Sequence, residues 1–428
     1  MLIYQHINIM STQFKTLIKG VMSIDELKKI ITDNGFCYKE DENFIIVFSE
    51  TNETTGSPIE DANKSVIICK SNYNPIVSQF NKIIYNDDAE KFILNKNWDD
   101  FTFKHCFEGT MIIVFYAYEK WYVCTRKCLD ASKSTWIKGV SYYELFMDAI
   151  SDKFKLDDLN KDYCYHFILV HHRNRNIVDY SYINDYYKNV SLAMVTEKYT
   201  YKRIDYHIND KIIYPTVYKF QNIESIKNHL DEISRNNVSM QKITTEGIII
   251  EYCDSNNDVV LLKMQTPIYK MIGEIKPNTS NIDAMFLELY QKDKLKNIMH
   301  YFTKQDYEVF KRINTSMRTL SSELLTIYHI TRGHKNEEFY CELPSSYKNA
   351  LYIIHGIYIK KRDKEKQSEL GDRTSIVIHD VYKCLKNLEP YILRKIYIDR
   401  VQMVESGNFA DILIGDCFDT LIQGKLMS

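Results

Sequence analysis

Up to about residue 280 the chain is a series of short apolar runs parted by Asn-, Asp- and Glu-rich turns; beyond it, apolar residues fall at three- and four-residue spacing. Strands bury alternate residues and helices bury every third or fourth, so the period change marks a change of architecture. The expected fold is α+β, with a strand-rich domain over residues 1–280 and a mainly α-helical domain over 281–428. Lys276-Pro277-Asn278 is the natural linker. Helical spacing of Leu17, Val21, Leu27, Ile30 and Ile31 adds a helical start within residues 11–35.

Strands are expected at Phe44–Phe48, Val66–Cys69, Ile83–Tyr85, Phe167–Val170 and Ile177–Asp179. Thr110–Tyr118 and Lys120–Thr125 read as a hairpin turning near Glu119. Gly247–Tyr252 and Val259–Met264 form a second pair, bridged by the turn residues Asp254 to Asp258. In the helical half, Tyr352, His355 and Tyr358 share a helix face, read as core packing, and His379-Asp380 reads as a helix start. Lys360 to Lys366 is a charged run expected at a solvated helix end.

At 428 residues there is material for more than one core. A net charge of −2 excludes a globally basic nucleic-acid binder, so any such surface must be local. The ten cysteines show no CxxC pair or Cys/His spacing that would build a zinc site, so reduced thiols and a cytoplasmic setting are expected. No apolar run is long enough for a membrane span, and no secretory leader is visible. Abundant Tyr with sparse Gly and Pro is the skew of AT-rich codons, as in a large DNA virus.

Several segments carry chemistry. Cys106-Phe107-Glu108-Gly109-Thr110 joins a carboxylate to a glycine that admits close backbone approach. Arg126, Lys127 and Lys133 mix with hydroxyl residues in a run suited to phosphate contacts. Phe167 to Val178 contains His171-His172, which on a strand would face opposite ways and so serve structure, and Asn174-Arg175. Thr245-Glu246-Gly247 precedes an apolar strand, and Lys263 stands six residues before Tyr269. Earlier lies Gln79 to Asp87, with Lys82 near its start.

Taken in this order, these segments resemble the phage-type RNA ligase 1 family of covalent nucleotidyltransferases over about residues 65–280. The resemblance implies a ligase-like nucleotidyltransferase fold, related to ATP-grasp proteins, with ATP or GTP and magnesium as cofactors and RNA as partner. It implies nucleotide binding by Lys82, Glu108, Gly109, Glu246 and Lys263, and RNA or phosphate binding by Arg126, Lys127, Lys133 and Arg175. It also exposes systematic departures. The attacking lysine is replaced by Cys106, a motif glutamate by Ile168, and one phosphate lysine by Gln265. Lys104, two residues before Cys106 and on the same strand face, is the candidate for a displaced nucleophile. The expectation is a degenerate, non-catalytic member that binds an RNA end, a cap or a nucleotide, or a protein partner. The alternatives are an active ligase using Lys104 and a purely structural scaffold. No metal site built by the protein is expected, and no membrane partner.

Overall fold

A computed structural model describes residues 12–50, 57–61, 63–79, 81–136, 139–253, 259–276, 279, 281–301, 304–333, 336–365, 375–407 and 412–413. The turn expected at 254–258, Phe80, the linker residues Pro277 and Asn278, Lys366 and Cys417 lie outside this set. The chain divides into two compact units, Met1–Ile272 and Gly273–Ser428.

The first unit contains β1 (Cys37–Glu40), β2 (Phe44–Phe48), β3 (Ser65–Cys69), β4 (Pro75–Ser78), β5 (Ile84–Tyr85), β6 (Phe101–Cys106) and β7 (Thr110–Ala117). It continues with β8 (Lys120–Thr125), β9 (Tyr163–His171), β10 (Lys188–Glu197), β11 (Arg203–Ile204), β12 (Val217–Tyr218), β13 (Gly247–Cys253) and β14 (Val259–Gln265). These make a four-stranded sheet, β1-β2-β3-β4, and two five-stranded sheets, β11-β10-β9-β7-β8 and β12-β6-β13-β14-β5. The last is mixed, because β14 pairs with β5 in parallel while its other pairs are antiparallel.

Four apolar layers hold the sheets. Phe14, Leu27 and Ile31 from the N-terminal helices pack on Ile45, Val47 and Ile68 of the first sheet. The opposite face, Phe44, Ile46 and Ile67, meets Ile113, Phe115 and Cys164 of the second. Beyond it, Leu145 and Phe146 of the helix Tyr142–Ile150 cover Tyr165, Phe167 and Leu169. The third sheet buries Phe103, Ile248, Ile250 and Leu262 against Ala89, Ile93, Ile226 and Leu230 of two helices, Asn86–Leu94 and Ile223–Met240. Asn222 caps the second of these, its side chain accepting from Ser225 N.

The β7–β8 hairpin forms where the sequence placed it. Its turn puts both Tyr118 (φ 46°) and Glu119 (φ 60°) in the left-handed region, as the two-residue turn matching strand twist requires. Ile177–Asp179, expected as a strand, is not one. The Ile177 and Val178 N–H groups go to the Glu108 carboxylate at 2.8 and 2.6 Å instead of to a neighbouring strand. His171 and His172 also depart from expectation. The strand ends at His171, so the two rings stack with centroids 4.7 Å apart, and His171 Nε2 lies 3.1 Å from Asp148 Oδ2.

The second unit is helical, with its long helices at Lys304–Tyr328, Ser345–Glu365, Ile378–Asn387 and Pro390–Ser406. Leu320, Leu324, Tyr347, Leu351, Ile354, Leu385 and Ile396 fill its core. Within it Arg400 makes a two-pronged, fully enclosed ion pair with Glu323, at 2.8 and 2.6 Å. Asp380 accepts from Val377 N at 2.9 Å and so starts its helix. Tyr352 corrects the expected core face: it is 75% exposed, and the core of that helix is one step round, at Tyr347, Leu351 and Ile354. Among the described residues no helix is long and apolar enough to cross a membrane. Among the described cysteines Cys37 and Cys341 are the exposed ones, one in each unit.

Candidate functional site

The second and third sheets of the first unit face each other across a cavity of about 490 Å³, within the usual size of a small-ligand pocket. Register explains its walls. Directly paired residues in antiparallel strands share a face, so Lys263, Ile249 and Lys104 form one row across β14, β13 and β6. Gln265, Gly247 and Cys106 form the next row. On the other wall Met111, Ile168 and Ser191 line up across β7, β9 and β10.

Both motif glycines are sterically required. A side chain at Gly247 would put its Cβ 2.1 Å from the Met264 carbonyl oxygen, and one at Gly109 would sit 2.3 Å from that of Leu169. Gly247 also leaves the space between Cys106 and Gln265 without a side chain.

Cys106 ends β6 and is 4% exposed. Its thiol donates to Glu246 Oε2 at 3.5 Å, and burial, reinforced by that carboxylate, pushes its pKa far above the normal thiol range. A neutral, enclosed thiol is a poor nucleophile. Glu246 also receives Lys263 Nζ and Gln265 Nε2, both at 3.0 Å on Oε1. Burial opposes the charge of Lys263, but the Glu246 carboxylate beside it prevails and raises its pKa. Gln265 is held in turn by Asn86, whose Nδ2 donates to its Oε1 at 3.0 Å.

Lys104 is committed elsewhere. Its amine lies 2.7 Å from Glu251 Oε2, the oxygen that also takes Arg203 Nη1 at 2.7 Å. Burial lowers its pKa, opposed by Glu251 and assisted by Arg203. For Glu251 burial works upward, but Arg203 and Lys104 outweigh it and bring the carboxyl to about 2.

Glu108 turns its carboxylate into the fold. Oε2 accepts from Ile177 N and Val178 N, and Oε1 accepts from Tyr269 OH at 2.6 Å. Burial raises its pKa against the pull of these donors. Arg126 donates to the Ser49 carbonyl at 2.8 Å, and Lys127 pairs with Glu50 at 2.8 Å.

Of the residues singled out by sequence, the structure gathers Lys104, Cys106, Glu108, Gly109, Arg126, Lys127, Glu246 and Lys263 around this one cavity. Lys82, Lys133 and Arg175 do not line it. Lys82 is wholly enclosed between Glu60 (2.8 Å) and Asp61 (3.4 Å). Lys133 is an exposed partner of Asp130, and Arg175 stands 3.9 Å from Asp179.

Sequence reasoning missed Lys64. It enters the cavity wall just before β3, and its amine has no hydrogen-bond or ion-pair partner among the described residues. Burial, with Lys263 and Arg126 adding to it, lowers its pKa to about 8. The cavity thus carries five cationic side chains, Lys64, Lys104, Arg126, Lys127 and Lys263, against three carboxylates. Such a surface suits an anion with several negative oxygens. Among the described residues no three His, Cys, Asp or Glu side chains are disposed to hold a metal ion.

No family model matches the chain. It is 41% identical over 70 residues to the immediate-early protein ICP-46 homolog of Invertebrate iridescent virus 3, a match covering 16% of this chain and 15% of that protein. It is 20% identical over 339 residues to the homolog of Invertebrate iridescent virus 6, covering 74% of this chain and 70% of the relative. Two solved forms of an archaeal ATP-dependent RNA ligase are similar to it at 11% identity each. Their TM-scores are 0.41 and 0.42, over 71% and 68% of this chain and 79% and 72% of theirs.

Proposed function

We propose that this protein uses the cavity between its second and third sheets to bind a nucleotide, or the phosphorylated end or cap of an RNA, without covalent catalysis at Cys106. One observation carries this: a cavity of about 490 Å³ with five cationic side chains in its wall surrounds Cys106, a buried, neutral thiol where the family resemblance expects the nucleophile. The motif resemblance to the phage-type RNA ligase 1 family supports nucleotide and RNA as the ligand class. Similarity to proteins of two iridescent viruses supports a viral source and action in the host cell.

The test combines calorimetric binding of ATP, GTP and a 5′-phosphorylated RNA oligonucleotide with incubation in α-labelled ATP or GTP and a denaturing gel. Binding without covalent label is the expected result. Failure of all three ligands to bind the folded protein would leave the scaffold alternative.

A second possibility, covalent transfer through a displaced lysine, is favoured by Lys64 rather than by Lys104. Lys104 is locked to Glu251, whereas the Lys64 amine has no ion-pair partner among the described residues, and about a tenth of it is unprotonated at pH 7. In that case the amine lone pair would form an N–P bond to the α-phosphorus. The P–O bond to pyrophosphate would break, pyrophosphate would leave with the electron pair, and the amine proton would pass to solvent. A gel label that survives Lys104→Ala and Cys106→Ala but disappears in Lys64→Ala is what this possibility requires.

A further inference from the structure

Three side chains at the cavity's wall present polar atoms that make no hydrogen bond of standard geometry among the described residues. They are the Nε2 of Gln79, both ring nitrogens of His166 and the Oγ of Ser191, all buried. Their residues are 3%, 0% and 0% exposed. Folding strips water from such atoms at a cost that an internal partner normally offsets.

The three belong together. His166 stands opposite Met194 and Ser191 opposite Ile168, so they are diagonal neighbours on adjacent strands β9 and β10, on the face that carries Ile168 and Ala193. Gln79 follows Ser78 at the end of β4, and the Ser78 backbone is near enough to His166 to act on the ring's basicity. Burial nevertheless lowers that pKa to about 4, so at neutral pH the ring has one N–H and one bare nitrogen. The set therefore offers a donor from Gln79, one donor and one acceptor from His166, and a hydroxyl that does either.

A flat heterocycle with alternating donors and acceptors on its edge answers that set. Lys104 and Lys263 stand on the facing sheet of the same cavity and, with Lys64, Arg126 and Lys127, would hold its phosphates. We infer that Gln79, His166 and Ser191 form the base-reading end of the cavity and select among nucleobases. This rests on the nucleotide-binding function proposed above.

The experiment measures binding of ATP, GTP, CTP, UTP and inorganic tripolyphosphate to the full chain by calorimetry, in wild type, Ser191→Ala and Gln79→Leu. One nucleoside triphosphate should bind at least about tenfold tighter than the others, the discrimination that a pair of base-edge hydrogen bonds supplies. Each variant should shrink that preference toward unity and leave tripolyphosphate binding as it was. Ser191→Ala should melt at or above the wild-type temperature, because its hydroxyl has no partner in the fold. Equal binding of all four, a preference untouched by either variant, or a marked fall in melting temperature in Ser191→Ala would overturn the inference. Tripolyphosphate binding with no gain from any base sinks base reading alone. Loss of every ligand sinks the nucleotide-binding proposal and base reading with it.

Discussion

Lys64 and the two motif glycines show how single residues set the limits of the cavity. With a pKa near 8, Lys64 is charged below that value and neutral above it. Phosphate-bearing ligands should therefore bind more tightly at pH 7 than at pH 9, by about three- to tenfold, and Lys64→Met should flatten that profile. Calorimetric titration across the range checks this, and an unchanged slope in the variant would assign the effect elsewhere. Gly247→Ala should cost about 3 kcal/mol, since its Cβ meets backbone rather than a yielding side chain. The urea midpoint reads it. Lys64 had no signature in the sequence. A lone lysine before an apolar strand looks solvated, and only the approach of Lys263 and Arg126, distant in the chain, makes it unusual.

At the scale of elements, the hairpin of β7 and β8 was legible because alternation and turn lie in one continuous segment. Its turn residues are nonetheless poor choices for their backbone angles, since side chains other than Asn, Asp or Gly resist positive φ. Glu119→Gly should raise stability by about 1 kcal/mol, seen as a higher melting temperature. The strand β10 and the helix Ile223–Met240 were not anticipated, although Asn222 with Ser225 three residues on was a visible start signal for the helix. The apparent strand at Ile177–Asp179 misled because its apolar residues are buried for another reason: their amides clamp Glu108. Two strand histidines give this unit a pH response. Burial holds His105 and His166 at about 4, below the unfolded value near 6.5. The stability they contribute is complete above about pH 6.5 and is lost as pH falls through 4, up to about 3 kcal/mol per ring. Melting curves from pH 7 to 4 should show this, and His105→Phe should lessen the slope.

At the scale of the whole molecule, the change from strand-like to helical spacing is a property of the sequence read segment by segment, and the chain divides into compact units at Ile272 and Gly273. Partners inside the helical half are another matter. Arg400 and Glu323 lie 77 residues apart, and nothing local marks them as a pair. Glu323→Ala should destabilise by about 3–5 kcal/mol, because it strands an enclosed guanidinium. Calorimetry should place that loss in one transition and leave nucleotide binding in the first unit intact. The placement of thiols has a practical consequence. Among the described cysteines, maleimide dyes react fastest at Cys37 and Cys341, while Cys106 is shielded. Among the described residues there is thus one dye site in each unit, and with Cys417 replaced by serine, energy transfer between the two fluorophores would report the distance between them, with and without nucleotide.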